Sequence, residues 1–169
     1  MRIIVGARIS GKTTECIKEL LKDLSNTYLV VYNTTQKMHI CHNLAKGVNP
    51  LQHQLFHDHV VVWHEYLSKI RNPHNIIIDE ADAIPEAELT NILHLGRVIM
   101  VATTLDRSYD NSNTIIRRMM KSLGYEYFES VVPTADLNKL KQSMSKSAFD
   151  KTMNEKFRIK APKKIFVFR

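Results

Sequence analysis

The residues with the clearest chemical potential lie near the N-terminus, where residues 6–13 read GARISGKT and match GxxxxGK(S/T). Glycines at both ends of this run let backbone N–H groups approach a phosphate closely. The lysine reaches the β- and γ-phosphates of a nucleoside triphosphate, and the hydroxyl after it binds Mg²⁺. We therefore predict a site for a triphosphate with magnesium. The predicted nucleotide-binding residues are Gly6, Ala7, Arg8, Ile9, Ser10, Gly11, Lys12, Thr13 and Thr14.

A second chemical signal is an apolar segment, residues 76–78, that ends in Asp79 and Glu80. Carboxylates at the carboxyl edge of a parallel sheet lie where the ligands of such sheets bind. Successive side chains of a strand point to opposite sides, so only one of the pair can face a metal squarely. We assign Asp79 to the outer shell of the Mg²⁺ ion and Glu80 to the polarisation of the attacking water. Asp82 is expected to cap the next helix.

A third signal is a pair of hydroxyls, Thr103 and Thr104, directly after the apolar residues 97–102. A hydroxyl at the tip of that strand can hydrogen-bond either the acidic pair or a γ-phosphate. We therefore predict that Thr103 belongs to the same site, with either group as its partner.

The elements that must position these residues alternate between strand and helix. Short apolar runs predict strands at 2–6, 28–32, 60–63, 75–79, 97–102 and 125–132. Helices are predicted at 12–24, 35–46, 65–70, 85–95 and 112–123. This alternation predicts an α/β fold with a mostly parallel, doubly wound sheet flanked by helices. The regular pattern weakens after about residue 133, so we divide the chain into a core over 1–133 and an appendage over 134–169.

The appendage is expected to hold a helix over 136–149 and an edge strand over 164–168. Its charge is unusual, because residues 139–169 hold ten basic side chains and two acidic ones. Subtracting these from the totals of 24 and 17 leaves 14 basic and 15 acidic residues in 1–138, a net charge of −1. Such a cationic stretch favours a polyanion, so residues 139–169 are expected to bind nucleic acid, with DNA the first candidate. A solvated tail is the alternative.

The cysteines and the apolar runs of the chain indicate its cellular environment. Cys16 and Cys41 form no CxxC pair, which argues against a disulfide framework and indicates a reducing, cytoplasmic environment. No apolar run approaches the length of a bilayer span, and the start of the chain lacks the features of a secretory signal. No membrane partner is therefore expected.

The tetrad at residues 79–82 reads DEAD, and together with GARISGKT it resembles the first RecA-like domain of superfamily 2 helicases. The resemblance implies a P-loop NTPase of the additional-strand, catalytic-glutamate class. That family has a parallel sheet of order 5-1-4-3-2, with an additional strand between the phosphate-loop strand and the acidic strand. Thr103 and Thr104 resemble its Ser/Thr-Ala-Thr element, which senses the γ-phosphate and couples hydrolysis to nucleic acid. The resemblance implies that Thr103 senses the γ-phosphate.

Arg8 gives the loop the form GxRxxGK(S/T), which resembles the large terminase subunits of viral DNA packaging over roughly residues 1–105. The resemblance implies that Arg8 contacts the γ-phosphate or a neighbouring subunit as an arginine finger, and Arg117 and Arg118 are further candidates. The chain has room for neither a terminase nuclease domain nor a second RecA-like domain. We therefore expect an ATPase module, in the host cytoplasm if viral, that forms a homo-oligomer or joins partner proteins. The expected catalytic residues are Lys12, Glu80, Arg8 and Thr103.

A competing resemblance is to type II thymidine kinases, carried by GKTTE at 11–15, IDEA at 78–81 and VIMVA at 98–102 followed by Leu105 and Asp106. It implies that Glu80 acts as the base on a nucleoside hydroxyl. Two cysteines cannot supply that family's four-cysteine zinc site, and Asp82 stands where it normally has glutamine. The main prediction is therefore Mg²⁺-dependent ATP hydrolysis coupled to nucleic acid. A nucleoside kinase and another NTPase or regulatory switch remain alternatives.

Overall fold

The computed structural model describes residues 1–7, 10–46, 49–69, 74–104, 114–128 and 163–165. Its strands are β1 (Arg2–Gly6), β2 (Thr27–Val31), β3 (Val60–Val62), β4 (Asn75–Ile78), β5 (Arg97–Thr103), β6 (Tyr125–Phe128) and β7 (Lys163–Ile165). Its α-helices are α1 (Lys12–Leu20), α2 (Thr34–Ala45), α3 (Pro50–His59), α4 (Trp63–Lys69), α5 (Glu86–Leu95) and α6 (Thr114–Leu123). Short 3₁₀ turns occupy Leu24–Asn26 and Ala81–Ala83.

The strands in these described residues form one sheet in the order β3-β2-β4-β5-β1-β6-β7. Strands β1 to β6 run parallel to one another, and β7 pairs antiparallel with β6. The predicted α/β fold with a mostly parallel sheet flanked by helices is confirmed. Because β5 lies between β1 and β4, the strand before the phosphate loop is not adjacent to the strand before the acidic pair.

The two faces of the sheet are covered by different helices. Helices α1, α2 and α3 pack on one face, and α4, α5 and α6 pack on the other. In β1, Ile4 points to the first face, and Ile3 and Val5 point to the second. These strands read as continuous apolar runs because side chains on both faces are buried.

Helix α3 differs from the sequence-based expectation, in which residues 50–59 were given no helix. Its amphipathic signal is weak, because Phe56 is its one buried residue and Leu51 is 85% exposed. The helix begins instead through local chemistry. The Asn49 side chain accepts a hydrogen bond from Gln52 N, and Pro50 occupies the first turn, where its missing N–H costs nothing. Periodicity therefore gave no signal here, although the cap residues did.

A cluster of ion pairs holds the elements on either side of the phosphate loop. The Arg2 guanidinium donates two hydrogen bonds to the Glu126 carboxylate, of 3.0 and 3.1 Å, and a third of 3.3 Å to Glu19. These contacts join β1 to β6 and to α1. The hydrogen bonds from Arg2 to Glu126 raise the pKa of the guanidinium, which stays charged.

The C-terminal part is described over a short stretch. Residues 163–165 form an edge strand that begins one residue before the predicted one, and the backbone of Lys164 lies opposite that of Glu126 in the antiparallel ladder. The predicted helix over 136–149 lies outside the described residues, as does most of the basic stretch 139–169. In the part of the chain that the structure describes, no helix is long and apolar enough to cross a bilayer.

Candidate functional site

The glycine-rich loop joins the end of β1 to the start of α1 at the carboxyl edge of the sheet. Gly11 immediately precedes α1 and has φ of 92°, a left-handed conformation that side chains with a Cβ rarely adopt. Its carbonyl accepts the first helical hydrogen bond, from Glu15 N at 3.0 Å. The N-terminus of α1 therefore opens directly onto the loop, as an anion site requires. Arg8 and Ile9 lie outside the described residues.

Gly6 is needed because another strand passes very close to it. A Cβ at this position would lie 2.3 Å from the carbonyl oxygen of Phe128 and 2.7 Å from Oγ of Ser10. Strand β6 therefore packs against the loop without room for a methyl group. The close approach seen here is that of β6, and the approach of a phosphate to this glycine stays a prediction.

Lys12 points back into the loop and is only 5% exposed. Its Nζ donates hydrogen bonds to the carbonyl oxygens of Gly6 at 2.8 Å and Ala7 at 2.7 Å. Burial lowers the pKa of the Lys12 ammonium, and the nearby carboxylates, above all that of Asp79, oppose the shift. A cation enclosed by neutral carbonyl oxygens is suited to exchange them for the charged oxygens of a phosphate.

Asp79 is fully buried just beyond β4, where several donors converge on its carboxylate. Its Oδ2 accepts hydrogen bonds from Thr13 Oγ1 at 2.7 Å and from Gln36 Nε2 at 3.0 Å. Its Oδ1 accepts one from the N–H of Glu80 at 3.0 Å. Burial raises the pKa of the Asp79 carboxyl, while the bond from Thr13 and the charge of Lys12 act in the opposite direction.

Glu80 occupies a strained backbone conformation, with φ 51° and ψ 46°. It is the one non-glycine residue with positive φ among those described. Strand β4 ends at Ile78, one residue before the predicted end, although the N–H of Asp79 still donates to the carbonyl oxygen of Val30 at 2.9 Å, so strand alternation does not extend to Glu80. The left-handed turn at Glu80 orients the pair instead, leading into the 3₁₀ turn Ala81–Ala83. Strained residues of this kind cluster at functional sites.

Asp82 does not cap the following helix, in contrast to the prediction. Helix α5 follows Pro85 and has no side-chain cap. The Oδ1 atom of Asp82 instead accepts hydrogen bonds of 2.9 Å from the Thr103 hydroxyl and from Thr104 N. Thr103 is thus joined to a third carboxylate of the acidic turn, and its sensing of a γ-phosphate stays a prediction.

Gln36 is a site residue that the sequence did not reveal. It is the third residue of α2, directly after β2, and its Nε2 donates to Asp79. A signal was present, since Asn33 and Gln36 have the spacing of a helix cap and its reciprocal partner. That spacing predicts a helix start, but it does not show that β2 lies beside β4.

The structure thus brings Lys12, Thr13, Asp79 and Glu80 together from two motifs that lie far apart in sequence. Gly6, Ala7, Ser10 and Gly11 line the described part of the loop, and Thr14 is exposed on the first turn of α1. The suggested trans-acting residues, Arg117 and Arg118, are exposed on α6.

The donor chemistry of this site fits Mg²⁺. A threonine hydroxyl and a carboxylate converge within 2.7 Å, and Mg²⁺ prefers such oxygen ligands, commonly one or two carboxylates together with substrate phosphates. Across the described ranges, no three His, Cys, Asp or Glu side chains form a group that could hold a metal ion. Cys16 and Cys41 are free and buried, and burial raises the pKa of both thiols.

Comparison of the chain with protein-family models, with curated proteins and with solved structures found no match. The functional assignment therefore depends on the residues and on the geometry of this site.

Proposed function

We propose that this chain is a Mg²⁺-dependent ATPase that couples hydrolysis to the binding or movement of nucleic acid. The observation that carries the proposal is the hydrogen bond of 2.7 Å from Thr13 Oγ1 to Asp79 Oδ2. It joins the end of the phosphate loop to the acidic turn across two strands that are not neighbours. The hydroxyl and the carboxylate that the Mg²⁺ assignment requires are therefore next to each other.

The strand order supports a RecA-like assignment. When β3 and β7 are set aside as edge additions and the other strands are renumbered along the chain, the order β6-β1-β5-β4-β2 becomes 5-1-4-3-2. Strand β5 then takes the place of the additional strand. Its last residue, Thr103, contacts the acidic turn through Asp82. This arrangement supports a link between the end of β5 and the site of hydrolysis.

In the proposed mechanism, Lys12 releases the carbonyl oxygens of Gly6 and Ala7 and binds the β- and γ-phosphate oxygens. The N–H groups at the start of α1 bind the same phosphates. Thr13 and Asp79 hold Mg²⁺, which when bound neutralises charge on the phosphates. Glu80 orients the water that attacks the γ-phosphorus, whose bond to the bridging oxygen breaks to give ADP and phosphate.

The nucleic-acid partner is proposed from charge. Residues 139–169 hold ten basic and two acidic side chains, a difference of +8, so they account for the whole net charge of +7. Arg117, Arg118 and Lys121 add exposed cations on α6. A surface of this sign attracts phosphate backbones without reading sequence. The proposed ATPase acts in the cytoplasm, as a homo-oligomer or in a complex with partner proteins.

The test is phosphate release from ATP by the full chain, with and without DNA or RNA, alongside Lys12→Ala and Glu80→Gln. We expect hydrolysis by the natural chain, stimulation by polynucleotide, and loss of activity in both variants. Equal phosphate release from the natural chain and Lys12→Ala would reject the proposal. Transfer of the γ-phosphate to thymidine would reject hydrolysis in favour of a nucleoside kinase.

The nucleic-acid part has a separate test. Four lysines of the basic stretch, Lys139, Lys141, Lys146 and Lys151, are changed together to Gln, which leaves β7 intact. If all four contact phosphates, the slope of log K against log salt should become shallower by about 3 to 4. An unchanged slope and affinity would show that this stretch does not bind nucleic acid.

A further inference from the structure

Gln36 makes side-chain contacts that fix its amide in one orientation. Its Oε1 accepts a hydrogen bond of 3.0 Å from the N–H of Tyr32, and its Nε2 donates one of 3.0 Å to Oδ2 of Asp79. Reversing the amide would place its NH₂ group against the Tyr32 donor and its oxygen against a carboxylate. The side chain therefore bridges the end of β2 and the acidic turn after β4.

The backbone of Gln36 is also held. Its N–H donates a hydrogen bond of 2.8 Å to Oδ1 of Asn33, the residue that caps α2. The next residue, Lys37, donates to Oε2 of Glu65 at 3.0 Å, and this oxygen also accepts a hydrogen bond from the N–H of Val62. The first turn of α2 is therefore joined to the ends of β2 and β3, and Gln36 has little freedom to move.

The partner of Gln36 on Asp79 is the oxygen that already accepts a hydrogen bond from Thr13 Oγ1. A hydroxyl has one hydrogen and two lone pairs, so Thr13 can bind a cation through a lone pair while its O–H still donates to Asp79. Gln36 is the second side-chain donor to the same oxygen, and it holds this carboxylate in place from the side of α2. Because the donor is neutral, it orients the carboxylate without cancelling the negative charge that a cation requires, as a lysine or arginine would.

We propose that Gln36 is a positioning residue that presents the Asp79 carboxylate to Mg²⁺ and so sets the affinity of the site for the ion. This inference depends on the proposed ATPase site. It predicts that loss of the amide weakens Mg²⁺ binding, while nucleotide binding in the absence of Mg²⁺ is retained.

The chain contains a closely matched control residue. Gln52 is the third residue of α3, just as Gln36 is the third residue of α2, and its N–H donates to the capping side chain of Asn49. Gln52 is exposed and lies on a different helix from the site residues. An effect caused only by helix formation would appear in both positions, whereas a metal-site effect would appear only at Gln36.

The experiment measures equilibrium binding of a fluorescent ATP analogue to the full chain, first with EDTA and then across a Mg²⁺ titration. Gln36→Met keeps the length of the side chain without its hydrogen bonds, and Gln36→Asn keeps an amide too short to bridge both partners. We expect half-saturation by Mg²⁺ to need about tenfold more ion in both variants. Affinity in EDTA and the behaviour of Gln52→Met should match the natural chain.

Two results would overturn the inference, and they differ. Normal Mg²⁺ half-saturation in a folded Gln36 variant would reject the role of Gln36 and leave the ATPase proposal intact. Absence of analogue binding by the natural chain, or binding that Lys12→Ala does not weaken, would reject the nucleotide site itself and the inference with it.

Discussion

The two edges of the parallel sheet both bury polar side chains, but they do so with different chemistry. At the carboxyl edge the buried groups include Lys12 and Asp79. Burial lowers the pKa of Lys12 and raises the pKa of Asp79, so in both cases it favours the neutral form. At the amino edge the buried polar groups include the phenol of Tyr66 and the imidazole of His74, and the Tyr66 hydroxyl lies 2.6 Å from Nε2 of His74. Burial raises the pKa of Tyr66 to about 12, so this phenol keeps its proton at neutral pH.

The amino-edge cluster is completed by ring contacts. Tyr28 stacks on His59 with ring centroids 4.8 Å apart, and it meets His74 edge-on at 5.0 Å. The Nδ1 atom of His59 lies 3.0 Å from the carbonyl oxygen of Thr27. These contacts join the starts of β2, β3 and β4 to α4. Hydrogen bonds and aromatic contacts of this kind contribute to stability.

The difference indicates that the carboxyl edge contains groups that lower the stability of the fold. Buried charges and a left-handed non-glycine residue each cost free energy, and both occur at the carboxyl edge. Among the residues described, no non-glycine residue at the amino edge has a positive φ, although the Thr27 hydroxyl there is buried without a hydrogen-bond partner. We therefore expect substitutions at the carboxyl edge to remove activity with little loss of stability, and substitutions at the amino edge to do the reverse.

The largest expected effect is that of Lys12→Met on activity. This change removes the ammonium that binds the phosphates, so kcat should fall by about 10² to 10³. Stability should change little, because removal of a buried charge is favourable, whereas the carbonyl oxygens of Gly6 and Ala7 lose a donor and Asp79 loses a nearby cation. Phosphate release and urea unfolding measure the two quantities. Lys22→Met, at an exposed lysine, is the control, and a large loss of stability in Lys12→Met would contradict the comparison.

Next in size is the effect of Tyr66→Phe on stability. The change removes one hydroxyl from a fully buried ring and its hydrogen bond to His74, so the free energy of unfolding should fall by about 1–3 kcal/mol. ATP hydrolysis at temperatures where the variant is folded should match the natural chain. Tyr32→Phe, at a residue that is 39% exposed, should leave stability unchanged. Equal stability of the two variants would show that the amino-edge cluster does not contribute as described.

A smaller effect separates the backbone strain at Glu80 from the role of its carboxylate in hydrolysis. Glu80→Gly relieves the left-handed conformation and should raise the free energy of unfolding by about 1 kcal/mol, while hydrolysis is lost. Glu80→Gln should lose hydrolysis too, but gain no such stability, because it keeps a Cβ in the same conformation. Urea unfolding of both variants measures the difference. A glycine variant no more stable than the glutamine variant would mean that the backbone at Glu80 stores no strain.

Much of the sheet could be predicted from the sequence, because β1 and β5 are apolar runs that end in glycine and threonine, and β4 is one that an aspartate follows directly. Helix α3 could not be predicted from periodicity, since its caps and not an apolar face mark it. The C-terminal edge strand was expected near residues 164–168, and the structure describes it at Lys163–Ile165.

The candidate site divides in the same way. Lys12, Thr13 and Asp79 could be selected by residue type and spacing, because phosphate and Mg²⁺ demand those groups. The contacts of Gln36 and Asp82 could not, because each depends on which strands are neighbours in the sheet. Gln36 reaches Asp79 because β2 lies beside β4, and Asp82 reaches Thr103 because β5 lies on the other side of β4. Strand adjacency is a property of the folded sheet and is not visible in local sequence.

The smallest expected effect is a pH dependence of stability that Asp79 should impose. Its pKa is raised by burial, so the folded chain holds this proton at pH values where the unfolded chain has released it. Its contribution to stability is therefore complete below the ordinary aspartate pKa and is lost as pH rises through the raised folded value. Glu65, whose pKa is lowered by its hydrogen bond from Lys37, acts in the opposite sense, gaining stability as pH rises.

The two contributions can be separated by difference. The free energy of unfolding is measured across the acidic range for the natural chain, for Asp79→Asn and for Glu65→Gln. Relative to the natural chain, Asp79→Asn should become more favourable as pH rises, because it carries no buried charge, and Glu65→Gln should become less favourable. Parallel curves for Asp79→Asn and the natural chain would mean that the carboxyl edge holds Asp79 without a cost of burial. The proposed difference between the two edges of the sheet would then be contradicted at Asp79, the residue for which it makes the most specific prediction.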